Sequence, residues 1–418
     1  MNKRRDTTGS FVRFPVGFLW GAATSAHQVE GGNRFNDWWA AEQAGDLPFR
    51  SADACRHFEL YESDFDLAES IGHNCHRFSI EWSRVQPSID TWNDSALEHY
   101  AQVIQSLKAH GMEPVVTLHH FTNPAWFAAR GGWEHQGAPE AFANYVSRVI
   151  DRLGDDVRYW LTVNEPTVYA LQGYINGVWP PFAKSAWARA ARVTRALARG
   201  HVTAYETIKA RCPKSRVSFA HNALHMEPCN AGRLRDRIAA HCRDWIYNEL
   251  FFKLIRIAGK PKLDFVALNY YTRCSVRSQG MGLNALLGTA CKLEHHSGQG
   301  MRGTMGWEAY PRGLGLIAKR FAGLGLPLFI TENGFATDDD EERRQFLRAH
   351  LRELANLVEA GIPVLGYLHW SLLDNYEWAS GTLPRFGLAE TNFTTQERRV
   401  RDSAGDFASV CRDNRVQL

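Results

Sequence analysis

The sequence contains no apolar run close to the roughly 20 residues that a membrane-spanning helix needs. Its basic start, MNKRRDTTGSF, is not followed by an apolar core, so it does not predict a secretory signal, and residues 1–10 are predicted to be a disordered N-terminus. With a net charge of only +3 and no basic stripe interleaved with aromatic residues, the chain lacks the pattern of a nucleic-acid-binding protein. These absences predict a cytoplasmic protein that has neither a membrane nor a nucleic acid as a partner.

Patterns that indicate metal binding are also missing. The chain has eight cysteines, but no two form a CxxC pair, so a zinc ribbon or a thioredoxin-like motif is not supported. In the absence of a secretory signal, the cysteines are predicted to be free thiols in a reducing compartment. The adjacent His295 and His296 have no further ligands at suitable spacing, so we predict no metal site and no cofactor.

What the chain does contain is a regular alternation of short apolar segments with longer helical patterns. Its 418 residues, of which 44% are hydrophobic and 22% charged, suit one large globular barrel. Leu97, Tyr100, Ile104 and Leu107 illustrate the helical spacing, and Gly111 ends that pattern. The acidic run at 337–344 is predicted to begin another helix, where the helix dipole favours negative charge. Eight segments are predicted as strands: 18–24, 74–80, 113–120, 160–163, 216–223, 264–272, 327–334 and 363–374.

Eight strands that alternate with helices favour one (β/α)8 barrel, formed as a single domain by residues 1–418. In such a barrel the active site lies at the C-terminal ends of the strands. A doubly wound open sheet is the alternative fold, but no GxGxxG motif follows the first strand to support it.

Polar and aromatic residues follow nearly all of the predicted strands. They are Gln28, Glu30, Arg77, Glu81, His119, His120, Asn164, Glu165, Asn269, Tyr270, Tyr271, Glu332, Trp370, Glu377 and Trp378. A barrel would bring these side chains around one pocket. Carboxylates, amides and imidazoles match the hydroxyl groups at the edge of a sugar ring, and indoles match its faces. Two carboxylates are also what the cleavage of a glycosidic bond requires.

Short motifs spread along the chain resemble those of glycoside hydrolase family 1. They are GAATSAHQVEG (21–31), RFSIEWSR (77–84), NEP (164–166), LNYY (268–271), MGWEAYPRGL (305–314), TENG (331–334), WSLLDNYEW (370–378) and PRFGL (384–388). They follow the order of the family, and the resemblance runs from about residue 14 to about residue 412. It implies a retaining β-glycosidase, with a β-glucosidase as the expected type.

The resemblance assigns catalytic roles to matching positions. Glu165 would be the acid/base and Glu332 the nucleophile of a double displacement. Arg77 and Tyr271 would keep Glu332 ionised, because a nearby cation and a hydrogen-bond donor favour the charged form. Asn164 would bind the sugar 2-hydroxyl. The resemblance also implies a cis peptide bond between Trp370 and the following serine.

Further matching positions imply a tight pocket for one terminal sugar. Gln28, His120, Glu377 and Trp378 would bind its hydroxyl groups, above a floor formed by Trp370. The other expected pocket residues are Asn269 beside Glu165, Phe386 beside the 6-hydroxymethyl group, and Trp307 facing the leaving group. His119 is expected to point into the packed interior instead.

The sequence also bears on which sugar is bound. Family members that act on 6-phosphorylated sugars have serine where this chain has Glu377, together with a nearby lysine that this chain lacks, so a free glucoside, galactoside or fucoside is expected. Phe121 occupies a position that is often tryptophan in this family. The glycine-rich segment 277–303 is expected to cover the leaving-group side. A transglycosylase and a non-catalytic sugar-binding barrel remain alternatives, and a homo-oligomer is left open.

Overall fold

The computed structural model of the chain describes residues 11–291 and 300–418, so the predictions for residues 1–10, His295 and His296 lie outside the described residues. Eight parallel strands form a closed barrel. They are β1 (Leu19–Ala23), β2 (Cys75–Ser79), β3 (Glu113–Thr117), β4 (Tyr159–Asn164), β5 (Arg216–Pro228), β6 (Val266–Arg277), β7 (Leu328–Asn333) and β8 (Val364–Trp370). Each strand overlaps one of the eight predicted segments, and the predicted (β/α)8 barrel is confirmed.

The strand order explains how the barrel closes. Strands β1 to β5 pair consecutively, β6 pairs with β5 and β7, and β8 pairs with both β7 and β1. All these pairings are parallel, which leaves every C-terminal strand end on one rim. Polar side chains that follow the strands in the sequence are therefore brought to a common mouth.

Helices pack around the barrel. They are α1 (His57–Ser70), α2 (Asp94–Ala109), α3 (Ala138–Leu153), α4 (Trp187–Arg211), α5 (Leu234–Asp244), α6 (Leu250–Leu254), α7 (Pro311–Ala322), α8 (Asp340–Glu359) and α9 (Asp402–Asp413). Further helices in the connections between these elements are Ala26–Val29, Asp37–Ala44, Trp82–Val85, Ala125–Ala129, Pro166–Tyr174 and Leu283–Leu287. Among the described residues, no helix combines the length and the apolar character needed to cross a membrane.

The helix ends follow local chemistry that the sequence had indicated. The acidic run does begin α8, where the side chain of Asp339 accepts hydrogen bonds from the backbone N–H groups of Glu341 and Glu342. Gly111 and Gly361, which follow α2 and α8, have φ angles of +69° and +76°. This left-handed conformation ends a helix and is readily adopted only by glycine.

The strands β5 and β6 run beyond their predicted ends. Their pairing continues from His225 opposite Arg273 to Pro228 opposite Val276. We call this two-stranded segment, Leu224–Pro228 with Thr272–Val276, the strand extension. It is held by an ion pair between Arg273 and Glu227, whose N–O distance is 3.0 Å. The ends of the two strands are therefore set by contacts between them. An apolar pattern within one strand does not predict such contacts.

The prediction that all cysteines are free thiols is wrong for one pair. Cys229 and Cys291 form a disulfide with their Cα atoms 6.0 Å apart, and the other six cysteines are free. The strand extension brings them together, because Cys229 N–H bonds to the Val276 carbonyl and Cys291 N–H bonds to the Ser275 carbonyl. They are 62 residues apart, so a search for close CxxC spacing does not find them.

Candidate active site

Two glutamates face one cavity at the C-terminal mouth of the barrel. The cavity has a volume of about 520 Å³, and both Glu165 and Glu332 line it. Glu332 belongs to β7, and Glu165 lies between β4 and the helix that begins at Pro166. The φ angle of Glu165 is +43°, an uncommon conformation for a residue other than glycine. It turns the end of the strand directly into the helix at the edge of the cavity.

Glu332 is held by a cation and a hydroxyl group. Its Oε1 accepts a hydrogen bond from Arg77 Nη1 at 2.5 Å, and its Oε2 accepts one from the Tyr271 hydroxyl at 2.6 Å. Burial raises the pKa of Glu332 above its ordinary value, and the Arg77 charge and the Tyr271 hydrogen bond oppose that rise. Both contacts stabilise the ionised carboxylate.

Arg77 is itself fixed by contacts on every nitrogen of its guanidinium group. Nε donates to the Thr117 hydroxyl at 3.0 Å, and Nη2 donates to Asn164 Oδ1 at 2.7 Å. Nη1 also reaches the Thr331 carbonyl at 3.3 Å. The side chain is fully buried. A buried guanidinium group with this many contacts holds its charge in one place beneath Glu332.

Glu165 has amide neighbours and no cation in hydrogen-bond contact. Its Oε1 accepts hydrogen bonds from Asn269 Nδ2 at 2.7 Å and from Asn222 Nδ2 at 2.9 Å. Burial, followed by the nearby charge of Glu332, raises the pKa of Glu165 to about 8. Because Oε1 already accepts two N–H bonds, the proton of the neutral carboxyl group belongs on Oε2.

The Glu165 contacts continue to Tyr247, which donates from its hydroxyl to Asn222 Oδ1 at 2.7 Å. Tyr247 lies in a π-helical turn, Trp245–Glu249, between α5 and α6. Such a turn contains one more residue than an α-helical turn and so changes the direction of the side chain. The hydrogen bond from Tyr247 fixes the Asn222 amide with its N–H group directed at Glu165.

The hydrogen bonds of Asn164 determine the tautomer of His120. Asn164 Oδ1 accepts from Arg77 and Asn269, so Asn164 Nδ2 is the donor in the 3.2 Å contact with His120 Nε2. Burial and the Arg77 charge hold the pKa of His120 well below its ordinary value, so the ring is neutral. Its proton therefore lies on Nδ1, which has no hydrogen-bond partner among the described residues.

A second polar group, built around Gln28 and Glu377, also lines the cavity. Gln28 Nε2 donates to Glu377 Oε2 at 3.2 Å and to Asn375 Oδ1 at 3.1 Å, while its Oε1 accepts from the Ser25 hydroxyl at 2.7 Å. Burial raises the pKa of Glu377 to about 8, against hydrogen bonds from Trp370 and Gln28. This group presents an amide and a buried carboxyl at fixed positions.

Aromatic rings complete the wall. Trp370 and Trp378 each lie about parallel to the His120 ring, with centroids 6.0 Å away. The peptide bond from Trp370 to Ser371 is cis, as predicted. On another side, the ring of Trp307 is 5.3 Å from Tyr271 and 6.2 Å from Phe386.

Eleven of the thirteen residues predicted for the site line the cavity. They are Gln28, His120, Asn164, Glu165, Tyr271, Trp307, Glu332, Trp370, Glu377, Trp378 and Phe386. The other two, Arg77 and Asn269, lie behind the cavity wall and contact the glutamates from there. His119 bonds to Asn123 in the packed interior, as expected.

Two other carboxylates that follow predicted strands do not reach the cavity. Glu30 accepts hydrogen bonds from Tyr100 and Arg84, and Glu81 accepts them from Ser83 and Thr122. Both carboxylates therefore form hydrogen bonds with neighbouring residues rather than with a ligand in the cavity.

Sequence reasoning missed three residues of this region. Asn222 lies at the C-terminal end of the fifth predicted strand, 216–223, so its position at a strand end could have identified it, as it did Asn164 and Asn269. Trp179 lines the cavity and packs against Phe121, with ring centroids 4.8 Å apart. The sequence around Tyr247 carries no signal for its role, because that role depends on the π-helical turn.

One group of possible metal ligands occurs among the described residues. Asp66, Glu69 and His110 place one ligand atom each within 4.8 Å of the others. Both carboxylates are exposed, and none of the three residues lines the cavity. We assign this group no role.

Comparison with known proteins agrees with the geometry of the mouth. A model of glycosyl hydrolase family 1 matches residues 11–261 and 252–416. The solved structure of a β-glycosidase from Pyrococcus horikoshii is similar, with a TM-score of 0.91 and 39% identity over 97% of this chain and 96% of its own. The β-glucosidase A of Thermotoga maritima is 29% identical over 97% of this chain and 99% of its own. A β-galactosidase of Pyrococcus woesei is 28% identical over 96% of this chain and 98% of its own.

These matches cover nearly the full length of the chain, and the barrel carries its paired carboxylates at the strand ends where such enzymes act. The protein belongs to glycosyl hydrolase family 1 and is a glycoside hydrolase.

Proposed function

We propose that the enzyme removes a terminal, non-phosphorylated β-D-glucosyl residue by double displacement, and that it accepts β-galactosides and β-fucosides as well. The observation that carries the proposal is the contrast between the two glutamates in one cavity. Glu332 contacts a buried guanidinium group, whereas Glu165 contacts only amides and has a pKa raised to about 8. A nucleophile must be ionised and an acid must be protonated, and these surroundings favour that division.

In the first step Glu332 attacks the anomeric carbon while Glu165 protonates the departing oxygen from Oε2. The bond to the leaving group breaks as the glycosyl–Glu332 ester forms, and the alcohol departs. Tyr271 and Arg77 contact Glu332 before reaction, so the attacking carboxylate is held in place. The amides of Asn222 and Asn269 hold the other oxygen of Glu165, which keeps Oε2 free for the proton transfer.

In the second step the ionised Glu165 takes a proton from water, and the water attacks the anomeric carbon from the side that the alcohol left. The ester to Glu332 breaks and the sugar is released with its original β configuration. Asn164, whose amide orientation is fixed by Arg77 and His120, donates to the sugar 2-hydroxyl. That contact strengthens as charge develops on the ring.

Recognition of the sugar uses the remaining cavity residues. The Nδ1–H of His120 donates to a hydroxyl group, Glu377 and the amide oxygen of Gln28 accept from others, and Trp370 supports the ring face. Family members that act on 6-phosphorylated sugars have serine at the Glu377 position together with a nearby lysine, and this chain has neither, so a 6-phosphate would find no lysine to pair with. The similar proteins named for glucosides and for galactosides support acceptance of both sugars. The one-domain organisation and the cytoplasmic location remain predictions, and neither is needed for this chemistry.

The product's configuration tests the proposal. We expect an aryl β-glucoside to release β-glucose first, observed by proton NMR before mutarotation. Initial release of α-glucose would contradict double displacement. Aryl β-galactoside, β-fucoside and β-mannoside, measured beside it, give the order of sugar preference.

Transfer to another acceptor uses the same two carboxylates, so it is measured in the same assay. An added alcohol traps the glycosyl–Glu332 ester as an alkyl β-glucoside. A hydrolase gives mainly free glucose under these conditions, whereas a transglycosylase gives mainly the alkyl glucoside. If no aryl alcohol were released from any substrate, the sugar-binding alternative would replace the enzyme.

A further inference from the structure

The cavity continues past Glu165 into a compartment on the leaving-group side. The strand extension forms one wall of this compartment, Cys291 bonds to that wall through the Ser275 carbonyl, and Trp307 also lines the cavity. Leu224, Met226 and Met305 supply apolar surface. Three arginines, Arg243, Arg273 and Arg302, also line it. The aryl or alkyl part of a glucoside would lie here, so the charge of this compartment bears on which leaving groups fit.

One of the three arginines has all of its charge paired. Arg273 donates to both oxygens of Glu308, at 2.8 and 2.9 Å, and to Glu227 at 3.0 Å. Glu308 Oε1 also accepts from the backbone N–H of Gly300. Arg273 therefore holds the neighbouring wall together, and its charge is already paired with two carboxylates.

The other two arginines are not paired in this way. Arg243 donates to the Gly288 carbonyl at 3.1 Å, and Arg302 donates to the Gly306 carbonyl at 3.3 Å. Within residues 11–291 and 300–418, neither has a carboxylate within 4.0 Å. The Nε of Arg302 is buried and has no acceptor. Glu308 attracts the Arg302 charge from nearby, but its oxygens are already bonded to Arg273. Several N–H donors of Arg243 and Arg302 therefore remain available on a largely apolar wall.

A buried donor without an acceptor is costly, and a guanidinium group binds carboxylates through paired N–H groups. We propose that Arg243 and Arg302 bind a carboxylate on the leaving group, so that glucosides of carboxylate-bearing aromatic alcohols are preferred over their neutral counterparts. This inference rests on the proposed function, because it names the leaving group for the same reaction. The apolar residues would contact the aromatic body of such a leaving group, and the arginines would bind its charged end.

The test compares 4-carboxyphenyl β-glucoside with 4-carbamoylphenyl β-glucoside, which has the same shape and no charge. We expect the ratio of their kcat/KM values to fall at least about tenfold in the Arg243→Gln/Arg302→Gln double variant, as the loss of charged hydrogen bonds requires. The leaving-group acidities cancel, because each ratio is compared between enzymes. Arg235→Gln is the matched control, since Arg235 is exposed on α5 and does not line the cavity. Its ratio is expected to equal that of the wild type.

A ratio that stays within twofold of wild type in the double variant would overturn the proposal. A second measurement avoids any dependence on the folding of the variants. Wild-type hydrolysis of the neutral substrate should be inhibited more strongly by 4-hydroxybenzoate than by 4-hydroxybenzamide, and added salt should reduce the difference. Equal inhibition by 4-hydroxybenzoate and 4-hydroxybenzamide would also overturn the proposal. If neither glucoside were hydrolysed by the wild type, the proposed function itself would fail, which separates the two outcomes.

Discussion

At the scale of single residues, the two glutamates should respond differently to their removal. The Glu332→Gly variant is expected to lose hydrolysis of every β-glycoside, because no group remains to form the glycosyl ester. Azide or formate should restore turnover by occupying the vacated space beside Arg77 and Tyr271, and azide should give an α-glycosyl product. The rate of aryl alcohol release and the NMR spectrum of the product are the measurements.

Removal of the acid gives the matching control. Glu165→Ala should still release very acidic phenols, since these need little proton donation, and the glycosyl–Glu332 ester should then accumulate. Azide should attack that ester and give a β-glycosyl product. If the two variants gave the opposite configurations, the roles of Glu165 and Glu332 would be exchanged.

The pH dependence of activity follows from Glu165. Its pKa is raised to about 8 by burial, so it should keep its proton at neutral pH and lose it as the pH rises further. We expect kcat/KM for an aryl glucoside with a poor leaving group to fall on the basic side with a midpoint near pH 8. The Asn222 amide favours the ionised form of Glu165, so Asn222→Ala should move this midpoint to higher pH. A basic midpoint that is unchanged in the variant would argue against Glu165 as the group observed.

At the scale of elements, the π-helical turn Trp245–Glu249 makes a specific prediction. Tyr247→Phe removes only the hydroxyl that fixes Asn222, so Glu165 loses the orientation of one of its two amide partners. We expect kcat to fall several-fold for poor leaving groups and to change little for 2,4-dinitrophenyl β-glucoside, which needs no acid.

Tyr205→Phe provides a control with the same atomic change. The Tyr205 hydroxyl bonds to Asp264, and neither residue lines the cavity. Any decrease in kcat that Tyr205→Phe causes should be the same for both kinds of leaving group. An equal loss for both substrates in Tyr247→Phe would mean that the hydroxyl supports the fold rather than the acid.

Some elements follow from sequence patterns, and others do not. Apolar periodicity locates all eight barrel strands, because a strand buried on both faces needs a continuous apolar run. It misses the strand extension, which is stabilised by contacts between β5 and β6, such as the ion pair of Arg273 with Glu227. The residues of the candidate site divide in the same way. Asn164 and Glu332 follow from position at a strand end, whereas Tyr247 and the Cys229–Cys291 pair depend on three-dimensional contacts that no spacing reveals.

At the scale of the whole molecule, the buried carboxyl groups of the cavity should reduce stability at alkaline pH. Glu165 and Glu377 each have a folded pKa of about 8, above the ordinary value of 4.5. Between these two values the folded protein holds protons that the unfolded chain has lost. Stability from these groups is therefore complete below about pH 4.5 and is lost as the pH rises towards 8, by up to about 1.4 kcal/mol per pH unit for each group.

The Glu165→Gln variant tests this, because glutamine cannot ionise. Its free energy of unfolding in urea, relative to that of the wild type, should increase between pH 5 and pH 8. Glu359→Gln, which changes an exposed residue at the end of α8, should show no such trend. A constant difference between Glu165→Gln and the wild type across this range would mean that Glu165 ionises equally in the folded and unfolded states.

The strand extension has a consequence for how this enzyme can change its substrates over evolutionary time. Alternate residues of a strand face the same side, and Leu224 and Met226 both face the cavity in this way. The main-chain pairing with β6 fixes Met226, and hydrogen bonds between the Leu224 backbone and the Asn248 side chain fix Leu224, in both cases independently of the residue's own side chain. New leaving-group preferences can therefore arise by single substitutions at these two positions, without insertions or deletions and without moving Glu165 or Glu332. A small library that varies only codons 224 and 226 would explore that diversity.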